Sequence, residues 1–231
     1  LGITFLNNHF VSNFKANNIK KILLSAAVVV FATSISNAQQ VKLGVKAGLN
    51  LATVVGDETG DVDSRTGFHI GGVAEVVLSD KFSFQPELVY STQGAKEEYS
   101  DTFNGITETE EAETTLTYLN IPLMAKYYVT EGFSIEAGLQ IGVLLSAETE
   151  FTFTATSEQG TFTESGTEDV KNNLKSIDFG VGVGLGYKLD NGINFAVSYN
   201  VGRSNILDGE GSVDFSQQNS VIQISVGYTF N

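Results

Sequence analysis

The chain of 231 residues has no cysteine, no tryptophan, one methionine, two prolines and two histidines. Without cysteine there is no disulfide framework, no thiolate zinc cluster and no cysteine nucleophile. Two histidines form no metal-binding cluster. Positive charge is scarce as well: 13 Lys and Arg stand against 27 Asp and Glu, a net charge of -14. Phosphate binding needs a basic surface, so nucleic acid is excluded as a partner. What the chain has instead is 24 glycines, 16 phenylalanines and 8 tyrosines, a composition of strands and turns rather than helices.

Lys20 and Lys21 precede the apolar run Ile22 to Ile35, and Ser36-Asn37-Ala38 then places small residues where a signal peptidase reads. This pattern predicts a secretory signal peptide cleaved after Ala38. The run is shorter than the roughly 20 residues a spanning helix needs. Leu1 to Asn17 contains no Met and fits no n-region, so the expectation is a start placed upstream of the true one. Residues 1–38 are therefore read as an extension plus leader that is removed, and residues 39–231 as one domain.

From Val41 onward, eight segments alternate apolar and polar residues with a period of two. They are Val41–Thr53, Thr66–Leu78, Lys81–Gln93, the two runs within Tyr118–Leu145, Ser176–Leu189, Gly192–Gly202 and Ser220–Phe230. The two runs within Tyr118–Leu145 meet at Thr130-Glu131-Gly132, the composition of a hairpin turn with glycine in the left-handed position. Other short turns fall at Ser79-Asp80 and Asp190-Asn191-Gly192. The connections near 54–65, 94–113, 147–175 and 204–218 are long and together hold 20 acidic and 4 basic residues. In a meander, all the short turns then lie at one end. That is the pattern of an eight-stranded antiparallel up-and-down transmembrane β-barrel in a bacterial outer membrane, with brief periplasmic turns and acidic extracellular loops.

A soluble lipocalin-like barrel shares the alternation but points its apolar face inward. Here the polar face is rich in Gly, Ser and Ala, whereas the apolar face carries the Phe and Tyr, so the bulky side is expected to meet lipid. Phe82, Tyr127, Phe133, Tyr187, Phe195, Tyr228 and Phe230 fall near the short-turn end, and Phe68, Tyr90, Phe179 and Tyr199 near the long-loop end. These two levels are read as girdles at the lipid interfaces.

Gln85-Pro86-Glu87-Leu88 with Tyr90, Tyr118-Leu119-Asn120-Ile121-Pro122-Leu123 with Lys126 and Tyr127, the alternating glycines from Gly180 to Gly186, and Gly227-Tyr228-Thr229-Phe230 resemble the PorT-type outer-membrane β-barrel proteins of Bacteroidetes. The resemblance covers essentially the whole chain after residue 38. It departs where Asn120 replaces a common glutamate and where Asn231 follows Phe230. It implies an eight-stranded outer-membrane barrel. The family's founding member is associated with a protein secretion system, and no catalytic residues carry over.

Among individual residues, Lys42, Lys46, Glu75, Glu87, Lys126 and Glu136 share the inward face in the half nearer the short turns. Counting outward from Gly132 sets Lys126 against Glu136. Bare charges in such a place are costly, so a lumenal salt-bridge network that plugs the barrel is expected ahead of an ion path. His69 is the single histidine after residue 38 and is read as a filler or tether. His69 with Ser91 is a weak start for a lipid-modifying enzyme, the alternative function. Asp57, Asp61 and Asp63 do not match a calcium loop and are read as a solvated acidic loop. The glycines from Gly180 to Gly186 fail the dinucleotide spacing and instead make room on an inward face. Pro86 and Pro122 cannot donate to a ladder, so each is expected to mark a bulge. The Thr- and Glu-rich second and third loops are read as mobile segments away from the membrane, with strands extended outward by residues such as Phe151 and Phe153 as the other outcome.

The expected protein is a non-enzymatic outer-membrane barrel. It acts through its acidic loops in surface interaction, envelope integrity or as a secretion accessory. It takes no cofactor and is a monomer, with outer-membrane lipid and, through the C-terminal strand, the barrel-assembly machinery as partners.

Overall fold

The computed structural model describes residues 40–57, 59, 62–208 and 216–230. The predicted leader and Asp61 lie outside them, and the barrel unit is Lys42–Asn231. Its strands are β1 (Val41–Gly56), β2 (Val62–Val77), β3 (Phe82–Phe103), β4 (Ile106–Tyr128), β5 (Phe133–Ser157), β6 (Gly160–Asp169), β7 (Ile177–Lys188), β8 (Ile193–Gly202) and β9 (Gln217–Thr229). Hydrogen bonding runs β1–β2–β3–β4–β5–β7–β8–β9, and β9 closes antiparallel onto β1. Eight strands therefore form an all-β up-and-down ring. The ninth, β6, stands outside it as a partner of β5.

The period of two sorts the side chains. Leu43, Val45, Leu49 and Leu51 of β1 are exposed, whereas Asn50 between them is buried. In β5, Ile135 and Leu139 are exposed while Ser134 and Glu136 are buried. A protein in water hides such residues the other way round, because each exposed Å² of apolar surface costs about 25 cal/mol. An apolar exterior around a polar interior identifies lipid as the solvent of this wall.

The wall is of uneven height. β7 and β8, with 12 and 10 residues, are just long enough to cross a bilayer, which takes about 9–11 residues per tilted strand. β3, β4 and β5, with 22, 23 and 25 residues, run well beyond that. Their upper parts and β6 make a four-stranded sheet that stands above the ring on one side. The predicted long connections at 94–113 and 147–175 are thus mostly strand. Within them only Asn104-Gly105 and Glu158-Gln159 are turn residues, and the irregular part is the segment after β6 with its 3₁₀ turn at Lys171–Asn173. Alternation prevailed over the polar, Thr-rich composition. Asn104 (φ 52°) and Gly105 (φ 78°) form the left-handed pair that a two-residue hairpin requires.

Three further expectations are corrected. Gly132 is not left-handed; a Cβ there would stand 2.8 Å from the Lys188 carbonyl oxygen, so close approach demands the glycine. Neither proline marks a bulge, because the β3–β4 register is constant from Phe82↔Tyr127 to Phe103↔Ile106. Each ring instead faces a gap in one ladder only. Pro86 stays paired with Leu123 toward β4, while the β2–β3 ladder breaks between Val73↔Glu87 and Val76↔Phe84. Pro122 stays paired with Gln140 toward β5, while the β3–β4 ladder breaks between Pro86↔Leu123 and Val89↔Asn120. The irregularities lie elsewhere, between Ser64 and His69 in β2 and at Thr117/Tyr118, where Leu145 of β5 is left without a partner. The carbonyl of Leu145 accepts a hydrogen bond from Lys171 Nζ, which anchors the segment after β6.

Candidate functional site

Side chains fill the lumen in three levels. Nearest the short turns are ions. Register sets Lys126 opposite Glu136, and their charged ends are 2.8 Å apart. Lys46 lies 2.5 Å from Glu87. Gln85 joins the two pairs, its Nε2 donating to Glu87 at 2.7 Å and its Oε1 accepting from Lys126 at 3.3 Å. Glu75 accepts from the Tyr128 hydroxyl and lies 3.6 Å from Lys188. Three lysines thus face three carboxylates. Lys42 makes no direct ion pair among the described residues but lines a vestibule of about 390 Å³ with Glu75, Tyr128 and Lys188 of this cluster and with Glu131 and Asp190. Glycine makes the packing possible, since a Cβ on Gly186 would stand 2.4 Å from Glu136 Oε1 and one on Gly182 2.4 Å from Asn200 Oδ1.

The middle level is amide, hydroxyl and imidazole. Asn50 Nδ2 donates to the carbonyls of Phe68 (3.1 Å) and Thr92 (2.9 Å) and to Ser91 Oγ (2.9 Å), which fixes the orientation of its amide. Asn50 Oδ1 therefore accepts from His69 Nδ1 at 2.7 Å and Gln223 Nε2 at 3.1 Å. His69 Nε2 is left to accept from Ser225 Oγ at 2.8 Å. A neutral imidazole with one donor and one acceptor is fully satisfied by this arrangement.

The chain Ser225–His69–Asn50 has the order of a hydroxyl–imidazole–amide relay, and Ser225, not the expected Ser91, is the hydroxyl that touches His69. The serine is buried, and the cavity it lines with Lys46, Glu87 and Lys126 is about 40 Å³. That is room for a water or two and not for a lipid ester. Ser225 escaped sequence reading because its contact with His69 spans the closure of β1 onto β9, 156 positions apart. Asn50 is only 19 positions from His69 on the neighbouring strand and was legible as an inward residue of β1, but not as its partner.

The third level closes the far end. Leu116, Tyr118, Leu144, Ala147 and Ile206 form a buried apolar cluster, with Val54, Val170 and Leu174 packed against it. Beneath it, Asn219 Nδ2 donates to Tyr118 (3.2 Å) and Asp178 (2.9 Å).

On the exterior, Phe133, Tyr187 and Phe195 are paired side by side in register, and the rings of Phe82 and Tyr127 are 4.9 Å apart. Tyr228 meets Phe230 at 5.5 Å. Toward the tall end, Phe68 and Tyr90 lie 5.9 Å apart, and Phe179 and Tyr199 are exposed. In the first connection, Asp57 accepts from the Ser216 amide at 2.9 Å, while Asp63 lies in β2 opposite Lys96. Above the wall, Glu113 gathers Arg65 at 2.8 Å and Lys96 at 2.9 Å, tying β2, β3 and β4 together. Hydrogen bonding from Lys96 and the charge of Arg65 hold its carboxyl below the usual glutamate value.

A closed eight-stranded ring with an apolar exterior and a packed polar lumen defines a transmembrane β-barrel of the outer-membrane class. The chain belongs to the outer membrane protein beta-barrel domain family, whose model matches residues 37–208. No curated protein matches the sequence. Among solved structures it is similar to Ail, the attachment invasion locus protein of Yersinia pestis, at 14% identity over 82% of this chain and 98% of that one, with a TM-score of 0.39. Neisserial surface protein A matches at 10% identity over 84% and 100%, with a TM-score of 0.42. OprG of Pseudomonas aeruginosa matches at 15% over 84% and 98%, with a TM-score of 0.38. The protein is an outer-membrane β-barrel.

Proposed function

We propose that this protein is a non-enzymatic barrel that acts from the cell surface through its tall sheet, in surface interaction, envelope integrity or as an accessory to secretion. One observation carries the reading. The lumen is packed and internally hydrogen-bonded, whereas the tall sheet leaves rings such as Tyr99, Phe103 and Phe162 exposed. Barrels of this class keep short turns in the periplasm, so the tall sheet is extracellular. The Lys46–Glu87, Lys126–Glu136 and Lys188–Glu75 pairs act as a plug, since an eight-stranded interior is just wide enough for side chains to fill. The two levels of exterior aromatics serve as interfacial girdles in outer-membrane lipid. The resemblance to PorT-type proteins supports the secretion-accessory option, and the Lys20 to Ala38 pattern supports a leader ending at Ala38; a monomeric barrel whose C-terminal strand is recognised by the assembly machinery completes the proposal.

The test replaces residues 98–111 and 152–166 with tight turns and confirms folding by heat-modifiable gel mobility. Loss of adhesion, secretion or envelope resistance in cells carrying the shortened barrel is expected. Wild-type behaviour in all three assays with a folded, surface-exposed barrel overturns the proposal.

A further inference from the structure

The tall sheet has two unlike faces, and the register assigns every side chain to one of them. One face is hydroxyl-rich. Across it Ser100 bonds Thr109 at 3.1 Å, Thr102 bonds Thr107 at 2.9 Å, and Thr156 bonds Thr161 at 3.3 Å. Lys96 stands opposite Glu113 on the same face, where Glu98 also faces Glu111 and Glu113 faces Glu150, so this face is acidic as well but carries no rings. The other face carries Tyr99, Phe103, Ile106, Phe151, Phe153 and Phe162, with Glu97, Asp101, Glu108, Glu110 and Glu164 set among them. Neither Lys nor Arg occupies that face above the ring, at residues 95–114 and 149–168.

Folding accounts poorly for this second face. Asp101 and Glu108 are direct cross-strand partners, and like charges directly opposite destabilise a sheet. The hydroxyl-rich face opposes acids too, at Glu98 and Glu111, but there Lys96 and Arg65 gather Glu113, whereas the second face sets its acids among rings with no cation beside them. The rings are also left uncovered: Tyr99 is 63% exposed, Phe103 74% and Phe162 59%. Phe151 and Phe153 are half-buried, the Phe151 ring lying across Gly166, where a Cβ would meet it at 2.7 Å. Lipid does not cover these rings. Tyr99 lies 17 residues from the short-turn end of β3, beyond the 9–11 or so that span a bilayer.

We infer that this face is a docking surface for an extended cationic polypeptide segment bearing apolar side chains, a partner class that rests on the surface-interaction reading above. Charge sign selects the occupant. A second copy of the chain, a lipid phosphate or a sulfated glycan brings negative charge to a face that has no cation. A segment alternating Lys or Arg with aliphatic residues sets its cations against Glu108, Glu110 and Glu164 and over the rings of Tyr99, Phe153 and Phe162, and its aliphatic groups between them. The face is about 15 Å across four strands and about 20 Å along them, the footprint of six to eight extended residues. By register it continues the inward side of the wall on β4, from Tyr118 and Leu116 upward, so it overlooks the barrel mouth.

The experiment uses the full barrel in phosphatidylcholine nanodiscs, with empty discs as the blank. Four probes are compared: a labelled eight-residue Lys–Leu alternating peptide, its Glu–Leu and Lys–Ser counterparts, and spermine. The Lys–Leu peptide is expected to bind saturably and to weaken as salt is raised. The E108Q/E110Q/E164Q variant and the Tyr99→Ser/Phe103→Ser/Phe162→Ser variant are each expected to lose at least tenfold in affinity while keeping heat-modifiable mobility. Equal binding of Glu–Leu, Lys–Ser or spermine overturns the inference, as does unchanged Lys–Leu affinity in either variant. The salt dependence of the wild type decides the matter if a variant fails to fold. If shortening both hairpins abolishes surface activity while these substitutions change nothing, the occupant alone is wrong. If shortening them changes nothing in cells, the surface-interaction reading is wrong.

Discussion

Glu136 in the lumen and Glu110 on the tall sheet occupy equivalent positions in one alternating pattern, on adjacent strands of the same wall, and meet opposite fates. Glu136 has Lys126 at 2.8 Å and the Ser134 hydroxyl at 3.0 Å. Glu110 is exposed between Tyr99 and Phe153, with no cation on its face above the ring. Ring closure explains the difference. Inside the ring every inward side chain meets others across the lumen, and an unpaired charge there is costly. Above the ring, among the described residues, the acids of the same face have no ion-pair partner across from them. Polar residues therefore hold the barrel together below and are free to recognise something above.

Removing one partner of a lumenal ion pair is the most severe way to break this contrast. Glu136→Leu strands Lys126 in the interior and is expected to cost about 3–5 kcal/mol, and Lys126→Met a similar amount. The double variant is expected to recover most of the loss, because two apolar groups of similar volume replace a pair. Unfolding midpoints in detergent check all three. If neither single change lowers the midpoint, the network does not support the fold.

Asn50→Leu comes next. It leaves His69 Nδ1 and Gln223 Nε2 without their shared acceptor and removes the amide donor to the Thr92 carbonyl, while the Phe68 carbonyl keeps the Thr92 hydroxyl at 3.3 Å. A loss of about 2–3 kcal/mol is expected, from roughly 1–3 for each buried group left unsatisfied and partial relaxation toward water. Gly186→Val is expected to cost about 1–3 kcal/mol, as overpacking does, because its side chain displaces the Glu136 carboxylate and the Ser134 hydroxyl. Pairing Gly186→Val with Glu136→Leu separates the two causes. If the clash is with the carboxylate, the double variant is less destabilised than the sum of the singles.

How much of this was legible beforehand follows the reach of each interaction. Alternation and turn chemistry act within a few residues, so the eight ring strands and the Lys126–Glu136 pairing across one hairpin could be counted from sequence. The Ser225 partner of His69 is set by where β9 closes on β1, which no local pattern reveals. Lys188 was visible on the inward face of β7, but its contact with Glu75 depends on what crosses the lumen. The tall sheet was read as mobile segments because Thr and Glu dominate it. Phe151, Phe153 and Phe162, two residues apart on β5 and alone on β6, already carried the period that decides its structure. Pro86 and Pro122 misled because a missing donor needs only a one-sided gap in the ladder, which adjacent strands share between them here.

The smallest effect belongs to the cluster of Arg65, Lys96 and Glu113, on the tall sheet's hydroxyl-rich face, where ion pairing resembles that of the lumen but water has access. Folding lowers the Glu113 carboxyl from its ordinary value, chiefly through hydrogen bonding from Lys96 with the Arg65 charge adding to it. A group depressed in the folded state contributes stability above its unfolded pKa and loses it as pH falls through the folded one. Glu113→Gln is therefore expected to cost at neutral pH, by about 1 kcal/mol or less because solvent screens the pair. The cost should shrink to nothing as the pH drops below the range where Glu113 itself titrates. Hydrogen exchange of the amides around Arg65, Lys96 and Glu113, corrected for intrinsic rates and compared between wild type and variant across pH, reads the difference. A gap that stays constant from neutral to acid pH means that the carboxylate's charge is not what ties the three strands, and the contrast between a charge-bound lumen and a weakly tied sheet sharpens further.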